Sequence, residues 1–222
     1  MEDYNSNFTG PEIDAALARA KAGGEIDELL LNKAPAGYGL GGNAAAPTTN
    51  DADSCTLTGW YAISSMSNCP FTYGLLRVEK WYDECIFQTA YEMGSGVVVQ
   101  RRYQNSEWTP WEYVNPPMQF GVEYRTTELS MGKPVYVKLV NFGAIPTSGT
   151  TKSVEHGISN VQFVIHVFGT TSVGFSIPYG SNADRIYIGA NTTHISIENA
   201  VSSFDASAYS AYVIIKYTKT TD

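Results

Sequence analysis

From Thr56 onward, apolar residues recur at every second position in short runs, and glycine, proline, asparagine or serine interrupts each run. A period of two puts alternate side chains on opposite faces of an extended chain, whereas an apolar helical stripe repeats near every 3.6 residues. The runs are Gly59-Trp60-Tyr61-Ala62-Ile63, Leu75-Leu76-Arg77-Val78-Glu79-Lys80-Trp81, Cys85-Ile86-Phe87-Gln88-Thr89-Ala90 and Val97-Val98-Val99-Gln100-Arg101-Arg102-Tyr103. Beyond Asn115-Pro116-Pro117, Val135, Val137 and Leu139 fall on one face, with Tyr136 and Lys138 on the other. Val161, Phe163, Ile165 and Val167 alternate with Gln162 and His166, and Ile186/Ile188 and Ile195/Ile197 follow the same rule. Ala211 to Tyr217 is apolar on both faces, which suits a central strand or one buried at a subunit contact. Fifteen tyrosines and 20 glycines, with abundant Ser, Thr and Asn, suit pleated surfaces and turns. The fold class expected is mainly β.

Paired prolines interrupt both ladder and helix, so the boundary is placed at residues 115–117. This gives a small β domain over residues 56–118 and a C-terminal antiparallel β-sandwich over 119–222. Ahead of them, Thr9-Gly10-Pro11-Glu12 reads as a helix start with a capping box, and Ile13, Leu17, Ala20 and Gly24 form a narrow seam. A helix of this length is marginal alone in water. Its stripe needs either its own domain or copies of itself in a short trimeric bundle, and the sequence leaves both open. Residues 1–33 are thus a helical segment and 34–55, rich in Gly, Pro and Ala, a linker.

The most unusual stretch is Arg101-Arg102-Tyr103-Gln104-Asn105-Ser106-Glu107-Trp108-Thr109-Pro110-Trp111. Two tryptophans beside paired arginines serve either as plugs for a small core or as an aromatic surface. Trp60, Trp81, Trp108 and Trp111 all fall in one unit of about sixty residues, which is small for burying four such rings. Aromatic and Asn/Ser loops on a rigid β scaffold are common recognition material.

Catalytic signals are sparse. His156, His166 and His194 are scattered, and two of them lie on alternating strands. No G-x-S-x-G, HExxH, P-loop or strand–helix G-x-G-x-x-G occurs. The carboxylate pairs Asp83/Glu84 and Asp51/Asp53 sit in turn-like sequence, and Asp51-Ala52-Asp53 lacks the remaining oxygens of a calcium loop. Cys55, Cys69 and Cys85 match no zinc spacing; buried free thiols are expected, with one intramolecular disulfide as the alternative, and neither a metal nor a cofactor is expected. The sequons at Asn7 and Asn191 carry little weight without a signal peptide. A net charge of −8 and a pI near 4.9 oppose nucleic acid and anionic membranes as partners. No apolar run approaches the ~18 residues that span a bilayer, so membrane insertion is not expected. The acidic start Met1-Glu2-Asp3-Tyr4 reverses a signal peptide's pattern, which predicts a cytoplasmic origin.

Gly59-Trp60-Tyr61, Leu75-Leu76-Arg77-Val78, Gln88-Thr89-Ala90, Arg101-Arg102 and Trp108-Thr109-Pro110-Trp111 resemble, in order, the pyocin-knob module of phage tail fibres and tailocin fibres. The segment Ala34 to Gly41 is similar to linkers preceding such knobs, and Gly121 to Lys138 is similar to the start of C-terminal domains in phage tail proteins. The resemblance marks Gly59, Trp60, Gln88, Arg101, Arg102, Trp108 and Trp111 as a structural signature, without saying which arginine holds the family position. It implies a non-enzymatic homotrimer in the tail of a virion assembled in the bacterial cytoplasm. Other tail or baseplate proteins and a bacterial surface polysaccharide would be its partners. On that reading Trp108 and Trp111 close the knob core, Arg101 or Arg102 anchors the loop, and the glycan-binding residues are unassigned. A tail-associated glycan-degrading enzyme and a purely structural tail or baseplate protein are the alternatives.

Overall fold

A computed structural model describes Ala18, residues 47–181 and residues 184–221. The expected N-terminal helix and most of the linker lie outside the described residues, apart from Ala18, which is helical. The rest is mainly β, as the alternation predicts. The chain forms two compact units, with boundaries after Gly94, within one strand after Arg101, and after Trp108.

The first unit opens with a 3-10 turn at Ala52–Ser54, capped by the Asp51 side chain, which accepts from the Asp53 N–H at 3.0 Å. Strands β1 (Gly59–Ser64), β2 (Tyr73–Tyr82) and β3 (Cys85–Glu92) follow as an antiparallel meander. Register is set by the inward set: Ile63, Leu76, Val78, Ile86 and Ala90 are all buried, with Gly74 among them. Gly74 is required because a Cβ there would lie 2.0 Å from the Tyr91 carbonyl oxygen. The unit also takes residues 102–104 of β4 (Val98–Gln104) and β5 (Glu107–Trp108). Asn105 and Ser106 join these strands with positive φ at both positions, as a type I′ hairpin turn needs.

In the second unit, residues 98–101 of β4 lead a sheet that continues through β6 (Glu112–Tyr113), β7 (Glu123–Ser130), β8 (Lys133–Ala144), β15 (Ser210–Lys219), β10 (Val161–Thr171) and β11 (Ser176–Ile177). A second sheet has the order β12 (Tyr179–Gly180), β13 (Arg185–Ala190), β14 (His194–Asn199), β9 (Thr150–Glu155). One core draws on both sheets, including Tyr136, Phe142, Ile186, Ile195, Ile197, Val213 and Ile215. Each fully buried Ile or Val of this set contributes about 1.5–3 kcal/mol. Strand β15 lies between β8 and β10, with Ala211, Val213, Ile215 and Tyr217 buried on one face and Tyr212, Ile214 and Lys216 half-buried on the other.

Two runs depart from the simple alternation. In β8, Tyr136 enters the shared core while Val135 and Val137 are buried on the opposite face, so both sides of that segment are covered. In β10, register shifts fall between Val161 and Phe163 and between Val164 and His166. Each irregularity moves the following residues to the other face. Val164 and Val167 therefore pack against the core, while Phe163 and Ile165 are exposed.

Candidate functional site

The signature residues separate into inward anchors and outward rings. Gln88 is completely buried on β3, and its Nε2 donates to the carbonyls of Ala52 at 2.7 Å and Cys55 at 2.9 Å. It ties the opening 3-10 turn to the meander, a structural role that explains an amide on an otherwise apolar face. Gly59 is buried at the start of β1. Alternation along β4 turns Arg101 inward and Arg102 to solvent. Arg101 is 5% exposed, and its guanidinium carbon lies 4.4 Å from the centroid of the Trp111 ring. Arg101 thus holds a signature tryptophan.

The residue after Trp111 is anchored as well. Glu112 is buried on β6 and receives two guanidinium nitrogens of Arg125, each at 3.2 Å. Arg125 also lies 3.4 Å from the Tyr136 hydroxyl. An ion pair so placed costs more to break singly than it contributes as a pair. Trp108 is half-buried, tilted against Tyr103 across the β4–β5 hairpin with ring centroids 5.2 Å apart. Trp108 and Trp111 serve their local structure, and neither presents a free ring face like that of Trp81.

Outward rings lie on the meander. Trp60 on β1 is half-buried and stacked on Tyr91 of β3, with centroids 5.8 Å apart and planes at 29°. Trp81 occupies a bulge, because the β2–β3 register jumps between Lys80 and Tyr82. A bulge re-aims its side chain, and Trp81 is 80% exposed beside Tyr82. Between these rings, Arg77 is paired with Glu79 and also hydrogen-bonded to Tyr91, contacts that hold its guanidinium above the ordinary value. Thr58, Trp60, Arg77 and Glu79 border a depression of about 180 Å³. Phe87 adds an exposed ring on β3. Residue spacing identified the tryptophans, but the Arg77–Glu79 pair was visible only as one alternation among several.

Several of the titratable groups considered for catalysis already have local partners. His156 is buried, its Nδ1 accepting from the Ile158 N–H at 3.1 Å and its Nε2 lying 3.3 Å from the Asn191 carbonyl. Burial holds its imidazole below the ordinary value. His166 is exposed beside Phe168, and His194 contacts Thr193 at 2.8 Å and Glu155 at 4.0 Å. Asp83 is an exposed turn acid paired with Lys80 at 2.6 Å, a contact that lowers its carboxyl's pKa. Asp51 accepts from Asn68 at 2.9 Å besides capping its turn. Asp184, which sequence reasoning missed, is a buried acid receiving the Ser202 N–H at 2.7 Å, the Ser203 N–H at 3.1 Å and both serine hydroxyls. The hydrogen bond from Ser203 leads the causes that lower its pKa. It pins the loop after β14.

Of the cysteines, only Cys55 is buried, while Cys69 and Cys85 are partly exposed, so the expectation of buried thiols holds at one position. Among the described residues no group of three or more His, Cys, Asp or Glu is placed to hold a metal ion. Among the same residues no helix is long and apolar enough to cross a membrane.

The second unit carries its own apolar surface. Leu129 and Met131 at the β7–β8 hairpin are 65% and 91% exposed, and Phe163 and Ile165 join Met131 around a cavity of about 510 Å³. Lys133 lies at its edge, donating to the Gln162 side-chain oxygen at 2.6 Å.

No family model matches the chain, and no curated protein matches it. Among solved structures it is similar to an N-truncated R2-type pyocin tail fibre, at 13% identity and a TM-score of 0.30 over 80% of this chain and 98% of that one. It is also similar to a P. aeruginosa R1 pyocin fibre, at 14% identity and a TM-score of 0.26, over 78% of this chain and 68% of that one. A third, the P. aeruginosa R2 pyocin fibre, has 12% identity and a TM-score of 0.29 over 81% and 69% of the two chains. At such TM-scores residue roles rest on this chain's own side chains. The solved structures to which the chain is similar are tail fibres of pyocins, the class whose knob its signature residues resemble.

Proposed function

We propose that this chain is a non-catalytic receptor-binding protein of a tail fibre, belonging to a phage, prophage or tailocin, and that it attaches the particle to bacterial surface glycan. The observation that carries the reading is the aromatic outer face of β1–β3, where Trp81, Phe87 and Leu75 remain exposed on a rigid meander. Exposed rings on a sheet suit the apolar faces of sugars and contribute through stacking and area burial. The structural duties of Gln88, Glu112, Asp51 and Asp184 support a non-catalytic role, since each of these polar groups already serves the fold.

The chain acts as a homotrimer in the particle's tail, beside other tail or baseplate proteins, and assembles in the bacterial cytoplasm. Threefold repetition converts weak single sites into useful avidity. The exposed strip of Leu129, Met131, Phe163 and Ile165 gives the second unit an apolar surface that neighbouring copies would cover. Light scattering should return three times 24.2 kDa. A chain that stays monomeric on concentration refutes the trimer.

For attachment, the test is labelling of a panel of bacterial strains by the soluble protein, together with blocking of adsorption by a phage or tailocin of the same host. Labelling restricted to some strains is expected. Depolymerisation of surface polysaccharide during incubation would replace this reading with the glycan-degrading one. Silence on every strain, with the exposed surfaces buried in an assembled tail, would replace it with the structural one.

A further inference from the structure

The β1–β3 register places three rings and one ion pair on a single small surface. Trp60 is the direct cross-strand partner of Arg77, and Arg77 that of Thr89. One row away Glu79 faces Phe87, and in the other direction Leu75 lies between Ala62 and Tyr91. Alternation puts Trp60, Arg77, Glu79, Phe87 and Tyr91 on the outer face, since Leu76, Val78, Ile86, Gln88 and Ala90 fill the inner one. Tyr91 backs the Trp60 ring and fixes its plane.

We propose that this face is a saccharide-binding site that takes a neutral pyranose, with the ring lying on Trp60 and its hydroxyls held by Arg77 and Glu79. The assignment rests on the attachment reading above and names its contact surface and ligand class. A pyranose has an apolar C–H face and a rim of hydroxyls that both donate and accept. The site has the matching halves. An indole face offers the apolar contact, free guanidinium N–H groups donate, and the Glu79 carboxylate accepts from an O–H.

The ion pair selects for neutrality. A lone arginine in such a place suits a carboxylate or phosphate, which it grips at two points. Here Glu79 already sits in contact with Arg77, so the local charge is offset, and an acidic sugar would meet the Glu79 carboxylate. The chain's net charge of −8 opposes polyanions further. The depression of about 180 Å³ is smaller than the roughly 300 Å³ at which drug-sized pockets begin, so it suits a single ring of a longer chain.

The experiment is an array of neutral hexose and deoxyhexose oligosaccharides beside uronic-acid and phosphate-bearing ones, probed with the full chain and three variants. The same proteins are applied to whole cells. The unaltered chain should bind neutral members, and Trp60→Ala and Glu79→Gln should each lose about tenfold or more in apparent affinity. Arg185→Ala, which removes an exposed guanidinium from the second unit, should bind as the unaltered chain does. Glu79→Gln alters an exposed side chain and keeps the test valid if Trp60→Ala fails to fold. Binding confined to acidic members overturns the neutral assignment. Undiminished binding by both variants overturns the site. Cells labelled by a chain that binds no saccharide on the array overturn the ligand class while leaving attachment intact. A chain that neither labels cells nor binds the array overturns the attachment reading as well.

Discussion

Gln88→Met removes the two hydrogen bonds that fasten the opening 3-10 turn to the meander, while keeping the side chain's length. Gln88 is 0% exposed, and its acceptors lie 36 and 33 residues away in sequence, so no local rearrangement restores them. Each such bond contributes about 0.5–1.5 kcal/mol net, and a buried carbonyl left without its donor adds about 1–3 kcal/mol. The Ala52 carbonyl keeps the Cys55 N–H at 3.1 Å, which moderates the penalty there. The expected loss is about 2–4 kcal/mol, read as a fall in the urea midpoint at unchanged slope. A local readout accompanies it: Cys55, 3% exposed in the intact chain, should become reactive to a thiol reagent in a Cys69→Ser/Cys85→Ser background. Gln88→Glu should cost more at neutral pH, because a buried carboxylate would face two carbonyl oxygens. Its folded pKa is raised above the unfolded value of about 4.3, so the penalty grows as pH rises through that value and shrinks on acidification. A Gln88→Met midpoint within error of the unaltered chain, with Cys55 still protected, would refute the anchoring role.

A double-mutant cycle on Arg101 and Trp111 should return a coupling of about 0.5–2 kcal/mol; a coupling of zero refutes the stacked pair. His156 has a depressed folded pKa, so its contribution is full above the unfolded value near 6.5 and is lost as pH falls through the folded value; His156→Gln should flatten the stability profile across that window, and an unchanged profile counts against it. Asp184, also depressed, keeps its contribution above the unfolded carboxylate value and loses it as pH falls through the folded one, so Asp184→Asn should flatten the more acidic part of the profile, and an unchanged acid limb counts against it.

From the residues alone the mainly β character and the turn positions were legible, because period-two alternation and Gly/Asn punctuation are local properties of the chain. The sequence also singled out Gln88, Arg101 and Arg102, through its resemblance to pyocin knobs. It left open which arginine turns inward, and the parity of β4 settled that in favour of Arg101. It misjudged β10, where two register irregularities expose Phe163 and Ile165, because a bulge is fixed by strand partners and leaves little mark on composition. Asp184 was illegible for a related reason: its four donors come from Ser202 and Ser203, brought to it only by folding. The residues of the Arg101 to Trp111 stretch left plug and surface both open, and tertiary structure gives its rings local partners while Trp60 and Trp81 lie on the outer face. Whether a ring plugs or presents depends on which strands lie beside it, and pairing across the sheet decides that.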